Sequence, residues 1–208
     1  MTLGTLASLL LVPSLLAGTD PVPAATPAVA PVVPVQWEID ASHSELTFRV
    51  RHLVSRVRGR FNQFGGTIVA DPANLAGGTV NVTVQTASID TNNERRDTHL
   101  RSADFFDAAT HPTITFRSTR VEVDGRALKV HGNLTMRGVT KAVVLEGQML
   151  EVGGVAGKRR IGFEASTTVN RMDYGVTWNR AAEGGGVVLG DDVEISIAVE
   201  AVERPAAP

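Results

Sequence analysis

From Trp37 onward the chain alternates apolar and polar residues with a period of two, the pattern of strands that bury one face. In "ELTFRVRHL", Leu46, Phe48, Val50 and His52 share one face, and Glu45, Thr47, Arg49 and Arg51 the other. "VRGRFNQFGGTIVA" continues it, with Val57, Gly59 and Phe61 opposing Arg58 and Arg60. Its Gly65-Gly66 pair predicts a bend or bulge in a long strand. "TVNVTVQTASI" sets Val80, Val82 and Val84 against Asn81, Thr83 and Gln85. "TITFRSTRVEV", "ALKVHGNLTM", "KAVVLEGQMLEV", "RIGFEASTTVN" and "DVEISIAVEAV" follow, and "DPANLAGG", "VDGR" and "MRGVT" read as turns, giving eight candidate strands.

Eight alternating strands with mostly short connections predict an all-β antiparallel meander. Closed on itself, such a sheet forms a barrel just wide enough for side chains or one small ligand. A two-sheet sandwich satisfies the same periodicity. The inward alternation face would comprise Phe48, Val50, Phe61, Val82, Val84, Ile114, Phe116, Leu134, Val143, Leu145, Phe163 and Ile195.

Two stretches interrupt the strands. Thr91-Asn92-Asn93-Glu94 matches a capping box and predicts a short helix from near Asn92 to about residue 106, before Pro112. Leu100, Ala103 and Phe106 recur along it, Phe105 widens the apolar stripe, and Asp97 with Arg101 at i, i+4 predicts a surface ion pair. The second stretch is a long Gly-rich loop over about residues 171–191 holding Met172, Tyr174 and Trp178, a length that suits a lid or binding loop. His52, His99, Leu100, Phe105, Met172 and Trp178 are therefore expected at a mouth or lid.

The N-terminal part has a different texture. "LGTLASLLLVPSLLA", Leu3 to Ala17, is apolar but too short and Pro-interrupted for a spanning helix, which predicts a signal peptide over residues 1–18. An uncleaved anchor is the alternative. "DPVPAATPAVAPVVPV" contains five prolines and reads as an extended linker over residues 19–35, leaving a barrel domain at 36–204 and a tail at 205–208.

Composition narrows the chemistry. The 208 residues carry 20 Lys and Arg against 22 Asp and Glu, a balance that gives no reason to expect nucleic acid as a partner. No cysteine is present, which excludes disulfides, thiolate metal sites and cysteine nucleophiles. The five histidines, His43, His52, His99, His111 and His131, form no closely spaced pair, so no metal site is expected. His99 beside Asp97 invites a general-base reading, with Asp173 as a third member, but no nucleophile is marked nearby and a structural or head-group role is favoured. "RVRHLVSRVRGR" places five arginines in twelve residues, either the solvated face of a hairpin or a basic mouth for an anionic head group or lipid surface. Met136, Met149, Met172, Phe116 and Phe163 read equally as core or as channel lining.

"IDASHSELTFRVRHLVSRVRGRF", "ASIDTNNERRDTHLRSADFFDAATHPTITFRS", "GNLTMRGVTKAVVLE" and "NRMDYGVTWN" with "GDDVEISIAVEA" resemble, in order and spacing, the successive signature blocks of the YceI-like family, over roughly Trp37 to Glu203. The resemblance implies a lipocalin-like barrel that binds an isoprenoid-chain lipid, such as a polyprenyl compound or quinone, in a periplasmic or secreted protein. Apolar lining positions rather than a fixed motif carry binding in the family. The expectation is a non-enzymatic carrier or sequestering protein with no cofactor beyond its lipid. A transient contact with a membrane surface and a homodimer are both compatible with the sequence. A hydrolase or isomerase acting on a lipid, or an adhesion module without ligand, are the alternatives.

Overall fold

The computed structural model describes residues 34–204 apart from Gly184. The signal peptide, nearly all of the linker and the tail lie outside the described residues. The strand segments are β1 (Val35–Ile39), β2 (Glu45–His52), β3 (Ser55–Phe61), β4 (Phe64–Asp71), β5 (Asn74–Gln85), β6 (Ile89–Asp90), β7 (Thr113–Asp124), β8 (Ala127–Met136), β9 (Val139–Val155), β10 (Lys158–Asn170) and β11 (Leu189–Glu203). Neighbours run β1-β4-β5-β7-β8-β9-β10-β11, and β11 pairs back onto β1, so eight strands close an antiparallel ring. β2, β3 and β6 continue β1, β4 and β5 beyond short interruptions. Thus β2 pairs with β11 along Val193↔Val50 to Ala198↔Glu45, while β1 pairs with the far end of β11 at Trp37↔Glu203 to Ile39↔Ala201. The wall is an up-and-down meander of eight long strands, three of them broken.

The breaks lie together because side chains and turns take over from the ladder there. Asn62 N–H donates to the Ser88 carbonyl at 3.1 Å, Gln85 N–H to the Gln63 carbonyl at 2.8 Å, and Gln63 N–H to Ser88 Oγ at 3.0 Å. The interruption therefore falls at Asn62-Gln63 and not at the predicted Gly65-Gly66, which pairs regularly with Thr83 and Val82. Gly66 serves a close approach instead: a Cβ there would lie 2.1 Å from the Asn81 carbonyl oxygen. Two further expectations are corrected. The strand at Val35–Ile39 lies partly in the expected linker, and "NLAGG" opens β5 rather than forming a turn.

Among the described residues there is one α-helix, α1 (Glu94–Arg101), eight residues long and shorter than the expected 92–106. Asn93, not Thr91, is its N-cap and accepts from Arg96 N–H at 3.0 Å. Thr91 is engaged otherwise, donating both its N–H (3.0 Å) and its hydroxyl (2.5 Å) to Asp97 Oδ1. Asp97 is consequently buried, and the predicted Asp97–Arg101 ion pair does not form. Arg101 reaches Glu94 at 3.3 Å and donates to the carbonyls of Ala87 and Ile89.

The interior divides along the barrel axis. One end is plugged by Trp37, Ile68, Ala70, Leu75, Leu128, Ile161 and Ala201. Trp37 is fully buried there, its indole N–H donating to the Ala70 carbonyl at 3.2 Å. A middle layer is built on Val84, Ile114, Met136, Val169 and Tyr174. The other end is covered by Phe105, Val176 and Leu189, with Val50, Leu100, Phe106 and Trp178 packed on them.

Candidate functional site

Between the plug and the cover lies a cavity of about 400 Å³. That is within the range of about 300–1,000 Å³ usual for small-molecule sites. Strand alternation makes its wall apolar: each inward residue is flanked by outward ones, and the ring has no open edge through which the inward face could reach water. All twelve positions predicted for the inward face stand at this wall. Of the expected mouth residues, His52, His99, Leu100, Phe105 and Trp178 border it too, and Met172 does not. The 3-10 turn Arg171–Tyr174 turns Arg171 and Tyr174 inward and leaves Met172 41% exposed. Met136 lines the cavity, whereas Met149 packs against the plug.

Space inside depends on two glycines facing two phenylalanines. Gly59 is paired directly with Phe48, and a Cβ on it would meet that ring at 2.4 Å; a Cβ on Gly132 would meet the Phe116 ring at the same distance. The outer edge of each ring rests on a neighbouring glycine. Larger residues at those positions would push the rings into the cavity.

The cover is held by two arginines whose sequence context gave no hint of this role. Arg137, at positive φ in the two-residue β8–β9 turn, donates to the carbonyls of Phe105 (2.7 Å), Ala103 (2.9 Å) and Gly175 (2.9 Å). Arg171 is buried and donates to the carbonyls of Gly190, Val176 and Trp178, and to Asp191 at 3.1 Å. Burial pushes its guanidinium pKa down, and Asp191 opposes that shift. The planar fork of arginine suits several carbonyls at once.

The histidines and arginines that border the cavity, His52, Arg96, His99 and Arg171, are gathered towards the cover. Arg96 is partly committed, donating to the Thr91 hydroxyl (2.7 Å) and carbonyl (2.8 Å). His99 bonds Asp104, not Asp97, at 2.9 Å and stands edge-on to Phe105 and Trp178 with ring centroids 4.9 and 5.1 Å away. Asp97, the partner that the disfavoured general-base reading of His99 would need, is turned to Thr91. Among the described residues no hydroxyl is hydrogen-bonded to the His99 ring.

A second polar cluster lies at the plugged end. Asp40, His43 and Glu200 approach one another as metal ligands could. Arg160 bonds both carboxylates and supplies the positive charge. Asp40 titrates well below the usual carboxylate range because the Ser42 hydroxyl and His43 stabilise its ionised form. Ser42 Oγ and Asp40 both meet His43 at Nδ1, so no relay of the Asp–His–Ser kind exists, since that needs both ring nitrogens.

The fold and the cavity define a lipocalin-like barrel, closed by its own strands around one apolar pocket. Residues 37–201 match the family model "YceI-like domain", and the chain belongs to that family. A UPF0312 protein of Pectobacterium atrosepticum is 39% identical over 171 residues, covering 81% of this chain and 86% of the relative. The crystal structure of the Campylobacter jejuni YCEI protein superposes with a TM-score of 0.65 at 34% identity, over 74% of this chain and 90% of that one. A polyisoprenoid binding domain from Saccharophagus degradans shares the fold, with a TM-score of 0.62 at 18% identity, over 82% of this chain and 99% of that one.

Proposed function

We propose that this protein is a non-enzymatic carrier or sequestering protein for an isoprenoid-chain lipid, a polyprenol, polyprenyl phosphate or quinone, and that it works outside the cytoplasm. The observation that carries the reading is the apolar cavity of about 400 Å³, continuous from the plug to the cover. The name of the Saccharophagus degradans domain supports an isoprenoid as the class of ligand. The apolar, Pro-interrupted N-terminal stretch Leu3 to Ala17 supports export.

The energetics suffice without catalysis. Burying on the order of 400 Å² of apolar ligand surface is worth about 10 kcal/mol before the costs of association. His52, Arg96 and His99 stand where a polar head would emerge. The test is organic extraction of the protein purified from a bacterial host, followed by mass spectrometry. A stoichiometric isoprenoid lipid is expected. A protein that carries no lipid, and takes none from polyprenol- or quinone-loaded micelles, would leave a ligand-free structural module instead.

A further inference from the structure

The β2–β3 turn carries a feature that neither the barrel nor the cavity requires. Its two residues are Leu53, 45% exposed, and Val54, fully exposed at 104%. Leu53 also adopts a positive φ of 52°, a conformation that glycine or asparagine takes at lower cost. Leu53 N–H donates to the Val188 carbonyl at 2.8 Å, which sets the exposed Val187 beside the tip. Below the tip, the outer face pairs arginine with arginine across the strands, Arg51↔Arg56 and Arg49↔Arg58. Like charges directly opposite each other destabilise a sheet. Glu194 answers Arg49 and Arg56, while Arg51 and Arg58 have no ion-pair partner among the described residues.

This arrangement stands at the covered end of the cavity. His52, next to the tip, and Leu189, next to Val188, both border the cavity, and Leu189 packs in the cover with Phe105. We infer that the Leu53-Val54 tip, with Val187 beside it and Arg51 and Arg58 behind it, is a docking surface for an anionic phospholipid bilayer. Three aliphatic side chains at a protruding tip are too few for a stable protein interface but suit insertion among head groups, and the arginines behind them match the bilayer's charge. Docking there presents the cover to the membrane from which a lipid would be taken or to which it would be delivered. That purpose rests on the cavity being a lipid site.

The test is flotation with phosphatidylcholine vesicles, with and without phosphatidylglycerol. Binding is expected only to the anionic vesicles and is expected to fade towards about 1 M salt, where charges are screened within about 3 Å. Leu53→Asn with Val54→Gly removes both apolar side chains, and asparagine takes the positive φ of position 53 at lower cost than leucine, so the fold should be kept. This variant, and Arg51→Gln with Arg58→Gln, should each lose about tenfold or more of the vesicle binding while keeping any lipid that co-purifies. Unchanged binding by both variants would overturn the inference. So would a concentration-dependent dimer, abolished by the turn variant, with vesicle binding intact, which would assign the tip to a second copy of the chain. An empty cavity in a protein that still docks through the tip would instead sink the carrier reading and leave the docking surface standing.

Discussion

At the residue scale, neighbours one position apart have opposite tasks. Val84 is buried in the middle layer and borders the cavity, while Thr83 beside it faces water. Val84→Asp should therefore cost about 3–5 kcal/mol, the penalty of an uncompensated buried charge, and abolish lipid retention. Thr83→Asp should do neither; urea denaturation and lipid extraction on the two variants check the orientation. Tyr174 is a different case: its hydroxyl is buried without a hydrogen-bond partner among the described residues, and burial pushes its pKa up, keeping it neutral. Tyr174→Phe is expected to be neutral or to stabilise by about 1 kcal/mol, since it removes an unsatisfied group. Asp90 is held at about 2, below its ordinary 3.8, first by the Asn92 backbone N–H and then by Asn62 and Arg60. Its folded pKa is depressed, so its contribution is present above about 4 and is lost as pH falls towards 2. Asp90→Asn should lower the urea midpoint at pH 7 and flatten its decline across that acid window.

At the element scale, the strands were legible because a period of two admits few alternatives. The inward face followed from alternation, and the structure sets all twelve of those positions at the cavity wall. Features governed by non-local partners were not legible. The Thr91-x-x-Glu94 spacing signals a capping box, but Asp97 draws Thr91 into a buried pair and leaves the cap to Asn93. The glycine pair at 65–66 carries the same local signal whether it bends a strand or lets a neighbour approach. Met172 looked like a lid residue by composition, yet the phase of a single 3-10 turn sends it outwards. The arginine clamps on the cover were invisible for a related reason, because carbonyl acceptors have no side-chain signature. Arg137 shows what that omission hides. Arg137→Lys keeps the charge but cannot hold three carbonyls in one plane. Hydrogen exchange should then quicken in 103–106 and 175–178 and lipid should leave faster, with the strand amides of β8 and β9 unchanged. Uniform quickening across the barrel would show that the arginine serves the whole fold and not the cover.

At the scale of the whole molecule, the barrel has unlike ends, and that asymmetry sets a direction for ligand traffic. The plugged end buries Trp37 fully within strands that pair all round the ring, and opening it would break the β1–β11 closure. The covered end is made of a short helix and loops held largely by two arginines and by aromatic contacts, the kind of segment that opens locally at lower cost. Ligand should enter and leave beside Trp178. The chain has two tryptophans, so Trp37→Phe leaves Trp178 as a single reporter at the cover. Extracting the lipid from that variant should lower its Tm, and returning an isoprenoid quinone at about 100 times its Kd should restore about 2.7 kcal/mol, or roughly 5–10 °C for a domain of this size. Trp178 emission should shift in step with the recovery. Recovery of Tm with silent Trp178 emission would mean that the lipid reaches its site without disturbing the cover, and the plugged end would then have to be reconsidered as the entrance.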